Sequence, residues 1–119
     1  MPQPGLVFQL TSEGDNHFWV VISPIVKGLV LAVNITDFAH CPDSPCVFEA
    51  GSHPIIYKKS SAYYRKAREF DADKIDQLLK DGQHVRRLTD FTPELLSRLV
   101  AGAKSSNDLT FRFLKYLPA

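Results

Sequence analysis

Two uninterrupted apolar runs, Phe18–Ile22 and Leu29–Val33, constrain this chain more than any other feature. Each is about strand length, and successive residues of a strand point to opposite faces. A strand that is apolar at every position needs cover on both sides, so His17–Ser23 and Leu29–Asn34 belong at the centre of a sheet. Pro24 ends the first run and Gly28 marks a turn before the second. That punctuation predicts an antiparallel hairpin. Neither run approaches the roughly 20 residues of a membrane span, so no membrane partner is expected.

Around this pair the remaining elements fall into two blocks. Gly5–Leu10 is rich in strand formers and precedes the turn-forming Ser12-Glu13-Gly14-Asp15-Asn16. A proline-rich loop from Asp37 to Pro45 leads to a short strand at Cys46–Ala50, a turn at Gly51–Pro54 and an extended Ile55–Tyr57. Ala62–Phe70 supplies one or two further strand segments. The period then becomes helical. Asp71 is a good N-cap for a helix carrying Ala72, Ile75, Leu78 and Leu79 on one face, and Gly82 closes it. Thr92-Pro93-Glu94 opens a second helix with Leu95, Leu96, Leu99, Val100 and Ala103 as its stripe. Ser105-Ser106-Asn107 is a cap for a final helix bearing Leu109, Phe113 and Leu117.

Strands first and helices last predict an α+β, mostly β fold: a small, strongly bent sheet or barrel with helices against one side. At 119 residues without repeat or linker, residues 1–119 read as a single domain. No βαβ unit or glycine-rich phosphate loop is present, so no nucleotide cofactor is expected. The N-terminus has neither a positive cluster nor an apolar core, which predicts no signal peptide and a cytoplasmic protein. Cys41 and Cys46, with His40 and His53 nearby, raise the question of zinc. Their spacing matches no common zinc pattern, so they are read as incidental thiols in a loop, with no metal.

Net charge is only +1, but the charge is unevenly distributed. Lys58, Lys59, Arg65, Lys66 and Arg68 crowd the stretch from Tyr57 to Arg68, which holds no acid; Glu69, Asp71, Asp73 and Asp76 follow it. Tyr57, Tyr63 and Tyr64 and the hydroxyls of Ser60 and Ser61 interleave with the cations. Single-stranded nucleic acid needs such a mixture, cations for phosphates and aromatic faces for bases. A strand edge guarded by lysines against aggregation would look similar. Tyr63 and Tyr64 must face opposite ways, so at most one of them belongs to a binding surface.

Three further positions could carry chemistry. His17 stands between a glycine-containing turn and a buried strand, and histidine titrates near neutrality. Thr36, with Asn34 and Asp37, sits at a strand exit where hydroxyl, amide and carboxylate could hold a phosphate or sugar. Asn and Asp are also ordinary turn formers there. His53 lies on a turn read as exposed.

The order of these pieces resembles the MazF/PemK family of toxin endoribonucleases. The resemblance rests on His17–Ser23, then Leu31-Ala32-Val33-Asn34-Ile35-Thr36-Asp37, then Lys59-Ser60-Ser61, and Ala67-Arg68-Glu69-Phe70-Asp71 into Lys74-Ile75. It covers residues 5–82 as a barrel plus helix; residues 83–119, read as a helical extension, have no counterpart. It implies an SH3-like barrel, usually dimeric, with a cognate antitoxin and single-stranded RNA as partners. It further implies metal-independent cleavage in which an activated 2′-hydroxyl yields a cyclic phosphate and a free 5′-hydroxyl. Family members use an arginine at the start of the second strand and a threonine after the third. Thr36 matches the threonine, whereas His17 replaces the arginine. With histidine in place of the arginine, the expected mechanism has His17 as base, Thr36 and a cation from Lys58, Lys59 or Arg65 on the phosphate, and His53 as the acid. Asn34, Lys58, Lys59, Ser60, Tyr64 and Arg65 would hold RNA. A toxin acting by protein contact alone, as gyrase-directed relatives do, and a non-catalytic binding module are the alternatives.

Overall fold

The computed structural model describes residues 2–11, 17–82 and 84–118; the turn expected over Ser12–Asn16 lies outside them. Six strands form one sheet: β1 (Val7–Leu10), β2 (Phe18–Val21), β3 (Leu29–Asp37), β4 (Val47–Phe48), β5 (Ser60–Asp71) and β6 (Val85–Leu88). Their spatial order is β4-β5-β3-β2-β1-β6, and every ladder is antiparallel. The fold is α+β and mostly β. Among the described residues β4 and β6 are the two edges, and no ladder joins them.

The two apolar runs are the central hairpin, as their composition requires. Val20 pairs with Val33 and Val21 with Ala32. The turn is two residues long, Lys27-Gly28, between the bridged pair Val26 and Leu29. Both turn residues are left-handed (φ 51° and 80°), the combination that matches the twist of flanking strands. Alternation along these strands fills two separate cores. Val20, Leu31, Val33 and Ile35 face one, while Trp19, Val21, Val30 and Ala32 face the other.

Helix α1 (Ala72–Asp81) and helix α2 (Pro93–Ser105) were expected on one side of the sheet, but they cover opposite faces. Ala72 and Ile75 of α1 join the Trp19 core, and Leu95, Leu99 and Ala103 of α2 join the Val20 core. The reason is the double-sided apolarity of β2 and β3: one layer of helices would leave half of it wet. Each fully buried aliphatic side chain is worth about 1.5–3 kcal/mol, so neither face can be left open. Both helices start where their caps predict. Asp71 accepts from the Lys74 N–H at 3.0 Å and Thr92 from the Leu95 N–H at 3.2 Å. Gly82, at φ 69°, ends α1 with its N–H on the Leu78 carbonyl.

Several elements differ from the sequence reading; the short strand expected over Cys46–Ala50, for one, is only Val47–Phe48. Residues 60–71 form one long strand, and the β3–β5 register shifts between Ala32 and Asn34, a bulge that bends the ladder. Ile55–Tyr57 is not extended; it belongs to a turn in which the Ile56 N–H meets the His53 carbonyl. Residues 84–118 are not wholly helical, because Val85–Leu88 adds β6 beside β1, with Val7 opposite Leu88. The last helix is a 3-10 helix, Phe111–Tyr116, which contributes Phe113 and Tyr116 to the α2-side core. Among the described residues no helix is long and apolar enough to cross a membrane.

Candidate functional site

The pairing of β2 with β3 brings the first two candidates together. Phe18 lies opposite Ile35 and Trp19 opposite Asn34, so His17 and Thr36 follow at the same end of the two strands. A 3-10 turn, Phe38–His40, then folds the chain back on itself, closed by the Cys41 N–H on the Phe38 carbonyl. This return places His40 Nδ1 3.2 Å from Thr36 Oγ1. His17, Thr36 and His40 line two adjoining hollows at once.

The smaller hollow, of about 170 Å³, is walled by Tyr57, Lys58 and Ser60 from the segment entering β5, with Asp37 beside Thr36. Lys58 Nζ forms an ion pair with Asp37 at 2.8 Å, both side chains about half exposed. The hydrogen bond from Lys58 holds the Asp37 carboxyl below the usual carboxylate range, and Asp37 in turn raises the Lys58 amine. Asp37 also lies within electrostatic range of His40 and His17. Ser60 Oγ donates to the Lys58 carbonyl at 2.8 Å, which fixes the lysine's backbone at the rim.

The larger hollow, of about 640 Å³, is within the size range of ligand pockets. Its walls are Trp19, Asn34, Tyr63 and the basic side of β5: Arg65, Lys66 and Arg68. The Arg68 guanidinium lies 5.4 Å from the centre of the Trp19 ring and 4.6 Å from that of Phe70. Arg65 meets Asp108 at 3.2 Å, with both side chains largely exposed. An exposed pair of this kind is worth about 0–1 kcal/mol, so it holds Arg65 only weakly. Asn34 is only 3% exposed, yet it borders this hollow beside Thr36.

Three predicted residues, Tyr64, His53 and Lys59, do not line the hollows. Tyr64 is 2% exposed and packs into the α2-side core, where its hydroxyl donates to the Leu99 carbonyl at 2.6 Å. Burial pushes its phenol well above the ordinary range. Tyr63, its neighbour of opposite parity, lines the larger hollow instead. His53, read as an exposed acid, is 5% exposed. Its Nε2 lies 2.9 Å from the Thr89 carbonyl and 3.1 Å from that of Asp90, while Nδ1 accepts the Ile55 N–H at 3.2 Å. Two carbonyls at Nε2 require a proton there and an acceptor at Nδ1, which fixes one neutral tautomer. The ring rests on Phe91, centres 4.8 Å apart. His53 is a clasp between two loops.

Lys59 points elsewhere too, its ammonium 4.1 Å from the centre of the Phe38 ring. His40 is the residue that sequence reading missed, having weighed it only as a metal ligand. Its signal was a threonine four residues earlier at a strand exit, and the intervening 3-10 turn makes that spacing a contact. No protein-family model matches the chain, and no curated protein matches it significantly.

Proposed function

We propose that this chain is the toxin of a type II toxin–antitoxin pair, a cytoplasmic, metal-independent endoribonuclease built on an SH3-like barrel of the MazF/PemK kind. The observation that carries the reading is the meeting of His17 and Thr36 on the ridge between two hollows, one of them flanked by the cations of β5. Those two residues occupy the positions where the resembled family keeps its catalytic arginine and threonine. On this reading single-stranded RNA crosses the ridge, with the scissile phosphate at Thr36 and a neighbouring nucleotide in the larger hollow. His17 removes the 2′-hydroxyl proton, a transfer that typically contributes about 10²–10⁴-fold. Thr36 Oγ1 and the Lys58 or Arg65 cation hold the phosphate as charge develops on it. Asn34 offers its amide to a base or ribose edge, and Tyr63 offers a stacking face. An antitoxin and a second copy of the chain are the expected protein partners.

The test is incubation of the purified protein with single-stranded RNA in the presence of a chelator. The expected products carry 2′,3′-cyclic phosphate and 5′-hydroxyl ends, and His17→Ala abolishes them. Intact RNA with the wild-type protein would overturn the nuclease reading. Growth arrest without RNA cleavage would instead point to a toxin acting by protein contact.

A further inference from the structure

We infer that His40 is the second proton-transfer group of this site, the acid that protonates the leaving 5′-oxygen. The inference rests on the ribonuclease reading above and deepens it. Cleavage through a 2′-hydroxyl needs two proton transfers. The 2′-oxygen must lose a proton to attack phosphorus, and the 5′-oxygen must gain one as its bond to phosphorus breaks. His17 supplies the first; His53, held by two carbonyls and the Ile55 N–H, has no route to the second.

His40 meets the geometric requirements. It is exposed, so its ring can reach a substrate, and it lines both hollows together with His17 and Thr36. Its Nδ1 is engaged by Thr36 Oγ1 at 3.2 Å, which orients the ring and leaves Nε2 available. In the imidazolium form Nδ1–H donates to Thr36 Oγ1. The threonine proton is then released from the histidine and can point at a non-bridging phosphate oxygen. One protonation therefore arms two groups, the Nε2–H for the leaving oxygen and the Thr36 hydroxyl for the phosphate. The Asp37 carboxylate lies within electrostatic range of His40 and is itself paired with Lys58 at 2.8 Å.

The step balances. His17 takes the 2′-hydroxyl proton, the 2′-oxygen forms a bond to phosphorus, and the phosphorus–O5′ bond breaks with its electron pair going to O5′. His40 gives O5′ its proton. The products are a cyclic phosphate and a 5′-alcohol, with His17 protonated and His40 neutral; exchange with water restores both.

The experiment uses two single-stranded RNAs of one sequence, identical except that sulfur replaces the bridging 5′-oxygen at the cut site in one of them. A thiolate leaves without help from an acid; an alkoxide does not. His40→Ala should slow cleavage of the oxygen substrate by about 10²-fold or more, and that of the sulfur substrate by less than tenfold. His17→Ala should slow both alike. His40→Asn keeps a polar partner for Thr36 but has no acidic proton, so it should behave as His40→Ala does. Equal losses on the two substrates, or recovery of the oxygen substrate in His40→Asn, would overturn the acid assignment and leave His40 a positioning residue. No cleavage of either substrate by the wild-type protein would overturn the nuclease reading itself.

Discussion

Gly102 lies in the interior of α2, where alanine is ordinarily favoured over glycine by about 1 kcal/mol. Here the expectation reverses. A Cβ on Gly102 would lie 2.3 Å from Tyr64 Oη, 2.9 Å from Cys46 Cβ and 3.2 Å from Tyr64 Cζ. Forcing a methyl group into a packed interface costs about 1–3 kcal/mol. The tyrosine can yield only by giving up its bond to the Leu99 carbonyl, which strands a buried donor at a cost of about 1–3 kcal/mol. Against the propensity gain of about 1 kcal/mol, Gly102→Ala should destabilise by roughly 2–3 kcal/mol, a fall in Tm of roughly 5–10 °C for a chain of this size. Urea and thermal unfolding measure it directly. In a Tyr64→Phe background the nearest atom is gone, so the same substitution should cost at least about 1 kcal/mol less, a coupling that a double-mutant cycle reports. A Gly102→Ala protein as stable as wild type, or more so, would refute the packing of α2 on β5. Tyr64→Phe alone should leave RNA cleavage unchanged, since its hydroxyl faces a helix and not the hollows.

Three other outcomes follow from buried polar groups. His53→Ala should lower stability by about 2–3 kcal/mol, because it strips partners from two carbonyls and one N–H, yet the folded fraction should cleave RNA at the wild-type rate; a folded but inactive variant would restore His53 to the chemistry. Ser61 is fully buried and its Oγ has no partner among the described residues, so Ser61→Ala should stabilise by about 1 kcal/mol in chemical denaturation, and a loss would reveal a bond. Burial and the hydrogen bond to Glu69 push the Tyr116 phenol up to about 12, from an ordinary 10.0. The stability that this lends is intact below pH 10 and is lost as pH rises towards about 12. Ultraviolet titration should show the Tyr116 midpoint moving part of the way back in Glu69→Gln.

Features set by neighbouring residues were legible in the sequence. The caps at Asp71 and Thr92 are local hydrogen bonds, and the central hairpin follows from ten apolar residues and a two-residue turn. Features set by distant partners were not. Half of β6 is arginine, and only its pairing with β1, some 80 residues earlier, makes Val85–Leu88 a strand. His53 is buried because Thr89–Phe91 arrives beside it, and nothing near residue 53 announces that. The tyrosine pair was half legible: parity required one inside and one outside, but only the position of α2 decides that Tyr64 is the inner one. In the site, His17 and Thr36 were found by order along the chain, whereas His40 needed the fold-back of a 3-10 turn.

The placement of β6 and α2 bears on how this domain can be divided. The proposed family resemblance is confined to residues 5–82, which would make them a complete unit with an appendage. Connectivity argues otherwise. A chain cut after Gly82 would leave β1 as a bare edge and would uncover the face on which Val20, Leu31 and Val33 lie. The residues that carry the proposed chemistry and those that keep its scaffold dry are thus interleaved in space though separate in sequence. A piece trimmed after Gly82 would lose the cover of the sheet that carries the proposed site, and grafting the ridge onto another scaffold would require both helical layers to travel with it.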